Sequence, residues 1–311
     1  MTTIIPVYNG ERYLPATLDS LARQTIRPDR VIIQDNCSTD GTRQVVEAFR
    51  DRGFEWRKNE SNLGHTANLN RALELSSETE YLHILLADDL IKPAFYERLL
   101  PALAPFEGQA IGYCPFEIID ETGRVTSSPR GPWGGQPRLI PLQRFLAAQA
   151  ELQTILIPAV VLKTAGRPSP ARLPVDLPQV GDCVFYARWG KECQRIIEVP
   201  EILCQYRRHS ASGTDRHLLN LQVWVLDEWK VMQTVSALMG DTGMASWLRR
   251  QRLRCIFAAR SQVKVQMMRR QHPEYARGIR DATQALIGPL HWTLGRCAVG
   301  LRDFSQLLRG G

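Results

Sequence analysis

The amino-acid sequence predicts an α/β fold in which a mostly parallel sheet is flanked by helices and followed by a C-terminal helical region. Two observations predict it. Short apolar runs alternate with segments of helical periodicity through residues 2–103, which is the pattern of successive βαβ units. Beyond Thr214 every periodic signal is helical, so we expect two domains, at residues 1–215 and 216–311.

The first part of the chain supplies four strands, each followed by a helix. The strands are expected at residues 2–9 (running into a loop), at residues 30–35 and 54–57, and from residue 81, and the helices at residues 11–24, 42–50, 66–75 and 94–103. The fourth strand begins as a solid apolar run at Tyr81. A run without polar alternation is typical of a strand that is covered on both faces in a parallel sheet.

Further strands and helices complete the predicted domain. Strands are expected at residues 110–119, 154–163, 196–199 and 202–207, and helices at residues 142–152 and from residue 181. Residues 127–141 are rich in proline and glycine and have no regular periodicity, which predicts a long loop. Such a loop is either a lid over a binding face or a passive surface connection.

Composition indicates a globular protein without a membrane-spanning helix. The chain has 311 residues, 44% of them hydrophobic and 23% charged, and it contains no run of eighteen apolar residues. The seven cysteines are scattered without a Cys-x-x-Cys pair, so neither a zinc site nor a disulfide framework is indicated. Because Met1 leads directly into the first strand with no signal peptide, we expect a reduced, cytoplasmic protein.

The chain is basic, with a net charge of +7 and a pI near 9.2. This balance favours anionic partners such as nucleotides, phospholipid head groups or nucleic acid. The excess is concentrated between Arg249 and Arg280, in helices that also carry apolar residues at helical spacing. Packing on the core, homodimer formation and peripheral contact with a membrane surface stay open for these helices, and residues 286–308 are the favoured membrane segment. No recognised module frames the arginines, so no nucleic-acid binding is expected.

Polar clusters follow all four of the first strands. They are Pro6-Val7-Tyr8-Asn9, Asp35-Asn36-Cys37-Ser38-Thr39-Asp40-Gly41-Thr42, Asn62-Leu63-Gly64 with Asn68, and Ala87-Asp88-Asp89. Because the carboxyl ends of parallel strands lie at one rim of a sheet, these clusters converge. The adjacent Asp88 and Asp89 would repel each other without a compensating cation or hydrogen-bond donors, which suits Mg²⁺ or Mn²⁺. Alternatively, one of them caps the next helix and the other faces water.

Taken in this order, the clusters resemble the nucleotide-sugar-binding half of family 2 glycosyltransferases of the GT-A fold, over about residues 1–215. The resemblance implies a nucleotide-diphospho-sugar transferase fold. The nucleotide-binding residues that it implies are Pro6, Tyr8, Asn9, Asp35, Asn62, Gly64, Asn68 and Asp88. Asp35 would accept hydrogen bonds from a uracil-type base, and Asp88 and Asp89 would ligate Mn²⁺ or Mg²⁺ on the diphosphate. Leu86 departs from the pattern, because many relatives have an acid there.

Two later segments resemble the remaining parts of the family's site. Gly181-Asp182 resembles the element that carries the catalytic base, although Gly181 stands where an acid is usual. The alternative for Asp182 is a helix cap. Residues 206–212 resemble the family's Tyr-Arg-x-His-x-x-Ser segment, which implies that His209 ligates the metal or touches the diphosphate and that Arg207 and Arg208 bind phosphate. A plain surface histidine is the alternative for His209.

The resemblance implies an inverting, metal-dependent glycosyltransferase of the hexosyltransferase type. The expected donor is a UDP-sugar, with dTDP- and GDP-sugars as alternatives, and the expected acceptor is a hydroxyl of a glycan or lipid-linked glycan. A bacterial surface polysaccharide, assembled at the inner face of the membrane, suits the basic tail. A catalytically silent nucleotide-sugar-binding subunit is the rival, supported by Leu86. Nucleotidyltransferases and dinucleotide-dependent oxidoreductases are disfavoured, because the chain lacks their glycine-rich loops.

Overall fold

The computed structural model describes residues 1–129, 134–153, 155–209 and 219–299. These residues form two compact units. The sheet unit comprises Met1–Leu142, Ile155–Val175 and Arg188–His209. The helical unit comprises residues 143–153, 176–187 and 219–299 of the described chain. The domain boundary expected between residues 215 and 216 lies outside the described residues, as do Ser210, Ala211 and Ser212 of the Tyr-Arg-x-His-x-x-Ser segment.

The sheet unit contains two mixed sheets. Its strands are β1 (Thr2–Val7), β2 (Arg30–Asp35), β3 (Glu55–Lys58), β4 (Tyr81–Ile84), β5 (Leu90–Ile91), β6 (Ala110–Tyr113), β7 (Phe116–Ile119), β8 (Val125–Ser127), β9 (Arg138–Leu139), β10 (Val160–Lys163), β11 (Ile196–Glu198) and β12 (Cys204–Arg207). The larger sheet has the order β3-β2-β1-β4-β10-β6-β11-β9 and the smaller one the order β5-β12-β7-β8. Strands β1 to β4 pair in parallel, so their carboxyl ends share one rim, as predicted.

Helices follow the strands at the predicted places. They are α1 (Leu14–Ala22), α2 (Thr42–Glu47), α3 (His65–Leu73), α4 (Phe95–Leu103), α5 (Leu142–Ala150), α6 (Gly181–Cys193), α7 (Asp227–Leu238), α8 (Gly243–Met268) and α9 (Pro273–Val299). A π-helical turn, Gln222–Leu226, precedes α7. In α1, the apolar residues Leu14, Leu18 and Leu21 lie one turn apart and are buried, which explains why this segment is an amphipathic helix.

The central strands are buried on both faces, and β4 carries the buried polar side chain of His83. Its Nδ1 lies 2.8 Å from the Tyr96 hydroxyl and its Nε2 lies 3.0 Å from the Pro158 carbonyl oxygen. The Tyr96 hydroxyl also lies 2.7 Å from Thr3 Oγ1. Burial lowers the pKa of His83 to about 4, so the imidazole is neutral at physiological pH. A polar residue is tolerated in this core because both ring nitrogens have partners.

Two strand predictions need correction. The strand expected at residues 110–119 is two strands in different sheets, since Pro115 has no backbone N–H and the chain leaves β6 for β7 there. The strand expected at residues 154–163 is shorter, at Val160–Lys163, and it is antiparallel to both of its neighbours, β4 and β6. The expected loop at residues 127–141 contributes the short strand β9, which pairs with β11; residues 130–133 lie outside the described residues.

The helical unit ends in two long helices, α8 and α9. α9 is kinked at Gly288, whose φ of +81° interrupts the helix immediately before Pro289. Within the part of the chain that the structure describes, none of the helices is both long and apolar enough to cross a membrane. Of the segment favoured for membrane contact, residues 300–308 lie outside the described residues.

Candidate active site

The loops after β1 and β2 are tied together at the rim of the larger sheet. Asn9 adopts a left-handed backbone conformation, with a φ of +53°, which asparagine tolerates better than most residues. Its N–H donates to Ser38 Oγ at 2.9 Å, and its Oδ1 accepts from the N–H of Thr39 at 2.9 Å. Pro6 is buried in β1, whereas Tyr8 is 49% exposed. Of the side chains predicted here to line the base and ribose, that of Tyr8 faces solvent.

Asp35 is the last residue of β2, at the position where the sequence placed it. Only 1% of the residue is exposed, and its Oδ1 accepts a hydrogen bond from the N–H of Ser38 at 3.0 Å. This bond closes the turn after β2, an Asx-type turn of the kind that short acidic side chains form. Asp35 therefore has a local structural role in addition to the one that the resemblance implies.

A network of buried amide side chains supports the loop after β3. Asn59 Nδ2 donates to the Oδ1 atoms of Asn36 and Asn68, at 2.9 and 2.8 Å. Gln34 Nε2 donates to Asn59 Oδ1 at 2.6 Å, and Asn36 Nδ2 donates to Asn62 Oδ1 at 2.8 Å. Asn68 thus faces the network, and Asn62 is held by it. Neither Asn36 nor Asn59 has a role in the predicted site, although Asn36 follows Asp35 directly and Asn59 lies three residues before Asn62.

The tip of this loop turns at Gly64. Its φ of +80° and ψ of 166° are accessible almost only to glycine. The Gly64 N–H donates to Asn62 Oδ1 at 2.9 Å, and its carbonyl accepts from Asn36 Nδ2 at 3.4 Å. Asn62 and Gly64 therefore meet the loop after β2, as the convergence of strand ends predicted.

Asp88 and His209 are in direct contact, although 121 residues separate them in the sequence. Asp88 Oδ2 lies 3.0 Å from His209 Nε2, with 33% of the Asp88 side chain and 9% of the His209 side chain exposed. Asp88 follows β4 and His209 follows β12, so the two sheets supply one residue each. This pair is the most accessible acid–imidazole contact at the end of β4 among the described residues.

Asp89, the neighbour of Asp88, points into the protein. It is 0% exposed, and its Oδ1 accepts a hydrogen bond from the backbone N–H of Arg207 at 2.8 Å. Its Oδ2 is buried without a hydrogen-bond partner in the described residues. Burial raises the pKa of Asp89 well above its ordinary value, and the charge of Asp88 raises it further. The carboxyl group of Asp89 therefore faces the backbone of Arg207 rather than solvent.

Arg207 holds the end of β4 and a turn of the smaller sheet with its guanidinium. Nε donates to the carbonyl of Asp88 at 2.9 Å, and Nη1 donates to the carbonyl of Asp120 at 2.9 Å. The residue is 3% exposed, and its guanidinium lies over the ring of Tyr13, 5.1 Å from the ring centroid. Arg207 is thus engaged with backbone carbonyls, whereas Arg208 is partly exposed.

The aromatic ring of Tyr13 packs beside the Asp88–His209 pair. Its ring centroid lies 4.6 Å from that of His209, with the rings tilted by 42°. Its hydroxyl is buried and has no hydrogen-bond partner in the described ranges. No local sequence signal predicts this position of Tyr13, because only the tertiary fold brings His209 next to it.

The donor atoms at the end of β4 fit a divalent cation. Asp88 offers a carboxylate oxygen and His209 offers an imidazole nitrogen, which together suit Mn²⁺. No group of three or more histidine, cysteine or acidic residues that could hold a metal occurs in the described part of the chain. Two protein ligands are sufficient for an ion that also binds the phosphates of a substrate, since Mg²⁺ is commonly held by one or two carboxylates plus phosphates.

Asp182 lies in the first turn of α6, in the helical unit. It is partly exposed, and its Oδ1 accepts a hydrogen bond from the N–H of Cys183 at 2.9 Å. Burial raises the pKa of Tyr186, one turn later, well above its ordinary value, and the charge of Asp182 adds to this shift. The N-terminal end of a helix is a favourable place for a carboxylate, and Asp182 lies there.

A family model described as glycosyl transferase family 2 matches residues 2–158 of this chain. An uncharacterized glycosyltransferase of Rickettsia typhi is 27% identical over 169 residues, which are 53% of this chain and 52% of that protein. The poly(ribitol-phosphate) beta-N-acetylglucosaminyltransferase TarS of Staphylococcus aureus (strain Mu50) is 32% identical over 93 residues, 29% of this chain and 16% of TarS. The chain therefore spans only about half, or less, of the length of these relatives.

Solved structures show the same fold. Residues 1–349 of S. aureus TarS in complex with UDP-GlcNAc superpose with a TM-score of 0.64 at 17% identity, covering 97% of this chain and 92% of that one. GalNAc-T7 with UDP, GalNAc and Mn²⁺ superposes with a TM-score of 0.52 at 13% identity, covering 80% and 53%. At these identities the likeness concerns the fold alone.

Proposed function

The chain belongs to glycosyl transferase family 2 and has the GT-A fold, and from this premise we propose that it transfers a sugar from a nucleotide-diphosphate donor to a hydroxyl of a glycan or lipid-linked glycan. The observation that carries the proposal is the Asp88–His209 contact at 3.0 Å, at the end of β4. Asp88 follows the carboxyl end of β4, and Asn9 and the loop after Asp35 lie at the carboxyl ends of β1 and β2 in the same sheet. Open α/β sheets bind nucleotides beyond the carboxyl ends of their strands.

The donor that we propose to test first is UDP-GlcNAc, ahead of dTDP- and GDP-sugars. The support is indirect: TarS, which shares the fold, has been solved with UDP-GlcNAc, and its name states transfer to poly(ribitol-phosphate). Asp35 and the loop of Pro6, Tyr8 and Asn9 would hold the base and ribose. The loop of Asn62 and Gly64 would complete this pocket. Asn68 would support the loop indirectly, because its Oδ1 accepts a hydrogen bond from Asn59.

Asp88 and His209 would hold Mn²⁺ or Mg²⁺ against the diphosphate. When bound, such an ion supplies positive charge that offsets the negative charge of the departing nucleotide. We assign Asp89 and Arg207 to positioning instead, because the Asp89 carboxyl binds the backbone of Arg207 two residues before His209. The resemblance gives Arg208 a phosphate-binding role, whereas Arg207 donates to three carbonyl groups, those of Asp88, Asp120 and Glu121.

Asp182 would act as the catalytic base. It takes the proton of the acceptor hydroxyl as that oxygen bonds to the anomeric carbon, while the bond from this carbon to the diphosphate oxygen breaks. Attack from the side opposite the leaving group inverts the anomeric configuration, and no covalent enzyme intermediate is formed. The support for this role is the resemblance of Gly181-Asp182 to the family's element and the placement of Asp182 at a helix start.

The test is calorimetric titration with UDP, dTDP and GDP, with and without Mn²⁺. We expect metal-dependent UDP binding that falls about 10–100-fold in Asp88→Ala and His209→Ala, since a charge-assisted interaction contributes about 1.5–3 kcal/mol. Asp182→Ala is the matched control, and it should bind UDP as the wild type does. Tighter binding of GDP or dTDP would change the donor, and no binding of any nucleotide would refute the proposal.

Turnover separates an enzyme from a silent binding subunit. Leu86, which stands where many members of the family have an acid, favours the silent subunit as the second candidate. Slow hydrolysis of UDP-GlcNAc without an acceptor, abolished in Asp182→Ala although UDP still binds, is the expected result. Metal-dependent binding without any turnover of the three classes of nucleotide-sugar would favour the silent subunit.

A further inference from the structure

We propose that the helical unit docks on an anionic lipid bilayer through a face built by the first half of α8 and the last turns of α9. This docking face consists of Met244, Trp247, Arg250, Arg254, Leu290 and Leu294. The inference is independent of the nucleotide-sugar role, because none of these residues belongs to the candidate active site.

The two helices meet so that the docking face is continuous. Trp247 and Arg254 lie on one side of α8, one turn before and one turn after Gln251. His291 Nε2 of α9 lies 2.8 Å from Gln251 Oε1. Two turns further along α8, Gly295 is so near to Ala258 that a Cβ at Gly295 would stand 2.6 Å from the Ala258 Cβ. Residues 291–295 of α9 therefore run alongside the same side of α8.

The apolar members of the face are unusually exposed. Met244 is 71% exposed, Trp247 49%, Leu290 66% and Leu294 45%. Leu290 and Leu294 lie one turn apart, so they share one side of the helix segment that follows the Gly288 kink. Single exposed apolar residues are ordinary, but an adjoining group with an indole among them marks an interaction surface. Tryptophan in particular is enriched where protein meets the lipid head groups.

The charges beside these apolar residues favour an anionic partner. Residues 219–299 contain twelve lysines and arginines against five acidic residues. Arg249 and Arg252 are paired, with Asp241 and Glu151, on the sides of α8 that lie away from the face. Arg250 and Arg254, on the face, have no carboxylate within ion-pair distance among the described residues, and Arg250 bonds only the hydroxyl of Ser246. The two arginines of the face thus lack an ion-pair partner among the described residues where the apolar side chains are exposed, although the hydrogen bond from Arg249 and, to a lesser extent, the charge of Arg250 lower the pKa of Asp241.

A bilayer fits this combination better than a second copy of the chain. Two copies that met through the same face about a twofold axis would bring the arginines of both copies into one interface, and the docking face contains no acidic residue that could pair with them. An anionic bilayer instead accepts the indole and leucines at the acyl boundary while arginines reach phosphate groups.

The experiment is co-sedimentation of the full chain with vesicles. We expect binding to phosphatidylcholine vesicles with 30% phosphatidylglycerol (roughly the composition at which a surface charge becomes strong), and little binding to pure phosphatidylcholine. Raising NaCl from about 0.1 to 0.5 M should release the protein, because the Debye length shrinks to a few ångström. Equal binding to both vesicles, or none to either, would overturn the proposal.

Variants locate the contact. Arg250→Ala and Arg254→Ala should each weaken binding about fivefold, and Trp247→Ser with Leu290→Ser should abolish it. Arg27→Ala and Val175→Ser are the matched controls, an exposed arginine and a 67% exposed apolar residue of the sheet unit, and both should bind like the wild type. Equal loss in the controls would refute the assigned face. Sedimentation velocity without lipid completes the test. If the wild type is a dimer and Trp247→Ser is a monomer, the docking face binds a second copy of the chain and the bilayer proposal is refuted.

Discussion

Asp89 in the sheet unit and Glu228 in the helical unit are both buried carboxyl groups, and the protein accommodates them in opposite ways. Glu228 lies 3.2 Å from Arg260 Nη2 and 2.8 Å from Lys264 Nζ. Burial raises its pKa, but the charges of these two cations outweigh burial, so the net shift is downward. Asp89 receives one backbone N–H and no cationic side chain at hydrogen-bond distance in the described residues, and its pKa is raised.

The difference shows what each region requires. In the helical unit an ion cluster ties α7 to α8, and the carboxylate stays charged because its partners are charged. At the end of β4, burial and the charge of Asp88 raise the pKa of Asp89, which favours its protonated form and lessens the repulsion between the two carboxyl groups. Burial alone therefore does not decide the state of a carboxyl group; its partners do.

The largest expected effect is that of Glu228→Gln. The substitution leaves Arg260 and Lys264 buried without their shared carboxylate, which should lower the free energy of unfolding by about 3–5 kcal/mol. Urea denaturation followed by circular dichroism measures it. Asp281→Asn, which removes the exposed partner of Arg280, is the control and should cost less than about 1 kcal/mol. A loss of similar size in both variants would mean that the buried cluster is not held by charge.

The protonation of Lys264 makes the stability of the buried ion cluster depend on pH. Burial lowers the pKa of Lys264 to about 8, against 10.5 ordinarily. Between these values the unfolded chain holds the proton and the folded protein has released it, so the contribution of Lys264 to stability rises with pH. Compared with Lys264→Met, the wild type should gain up to about 1.4 kcal/mol per pH unit between pH 8 and 10. Parallel pH profiles of unfolding for the two proteins would contradict the assignment.

Asp89→Ala should cost less than Glu228→Gln. It leaves the buried N–H of Arg207 without an acceptor, which costs about 1–3 kcal/mol. It should also weaken Mn²⁺-dependent UDP binding, since His209 is two residues from that N–H. A cost above that of Glu228→Gln would show that Asp89 is ionised and paired in the folded protein.

The smallest effect is expected for Asp89→Asn. Asparagine keeps the oxygen that accepts from Arg207, and it carries no charge at any pH. The change at pH 5 should stay within about 1 kcal/mol. A carboxyl group with a raised pKa destabilises the folded state as the pH rises above its unfolded value, so Asp89→Asn should be the more stable protein at pH 8. A wild type that is more stable than Asp89→Asn at pH 8 would contradict the raised pKa of Asp89.

The sequence predicted the parts of this architecture that depend on local pattern. β2 has the predicted bounds, Arg30–Asp35, and the predicted convergence of strand ends is seen in β1 to β4. The reason is physical: a buried parallel strand is an apolar run, and polar residues must follow where it reaches the rim. The assignment of Asp88 to a shared site with His209 came from the order of motifs, since no local signal relates residues so far apart.

What the sequence could not provide depends on distant partners. Asp89 looks equivalent to Asp88 in the sequence, and only the approach of the Arg207 backbone makes one buried and the other accessible. The Asn59 network likewise depends on separate segments, since Asn36 follows β2, Asn59 follows β3 and Asn68 lies in α3. The antiparallel direction of β10 depends on the connections of the whole sheet, because the apolar sequence of a buried strand does not indicate whether it runs parallel or antiparallel to its neighbours.

That placement of β10 has a consequence for how the chain is synthesised. His83 of β4 pairs with Val161 of β10, so β1 to β4 leave the ribosome long before the strand that covers the edge of β4 exists. Until then the edge presents unpaired backbone groups, which is the state in which nascent chains associate wrongly. β10 also pairs with β6, so its arrival joins both halves of the sheet in one step. We therefore expect the yield of folded protein to depend on the pace of translation and on chaperones during synthesis of residues 85–163.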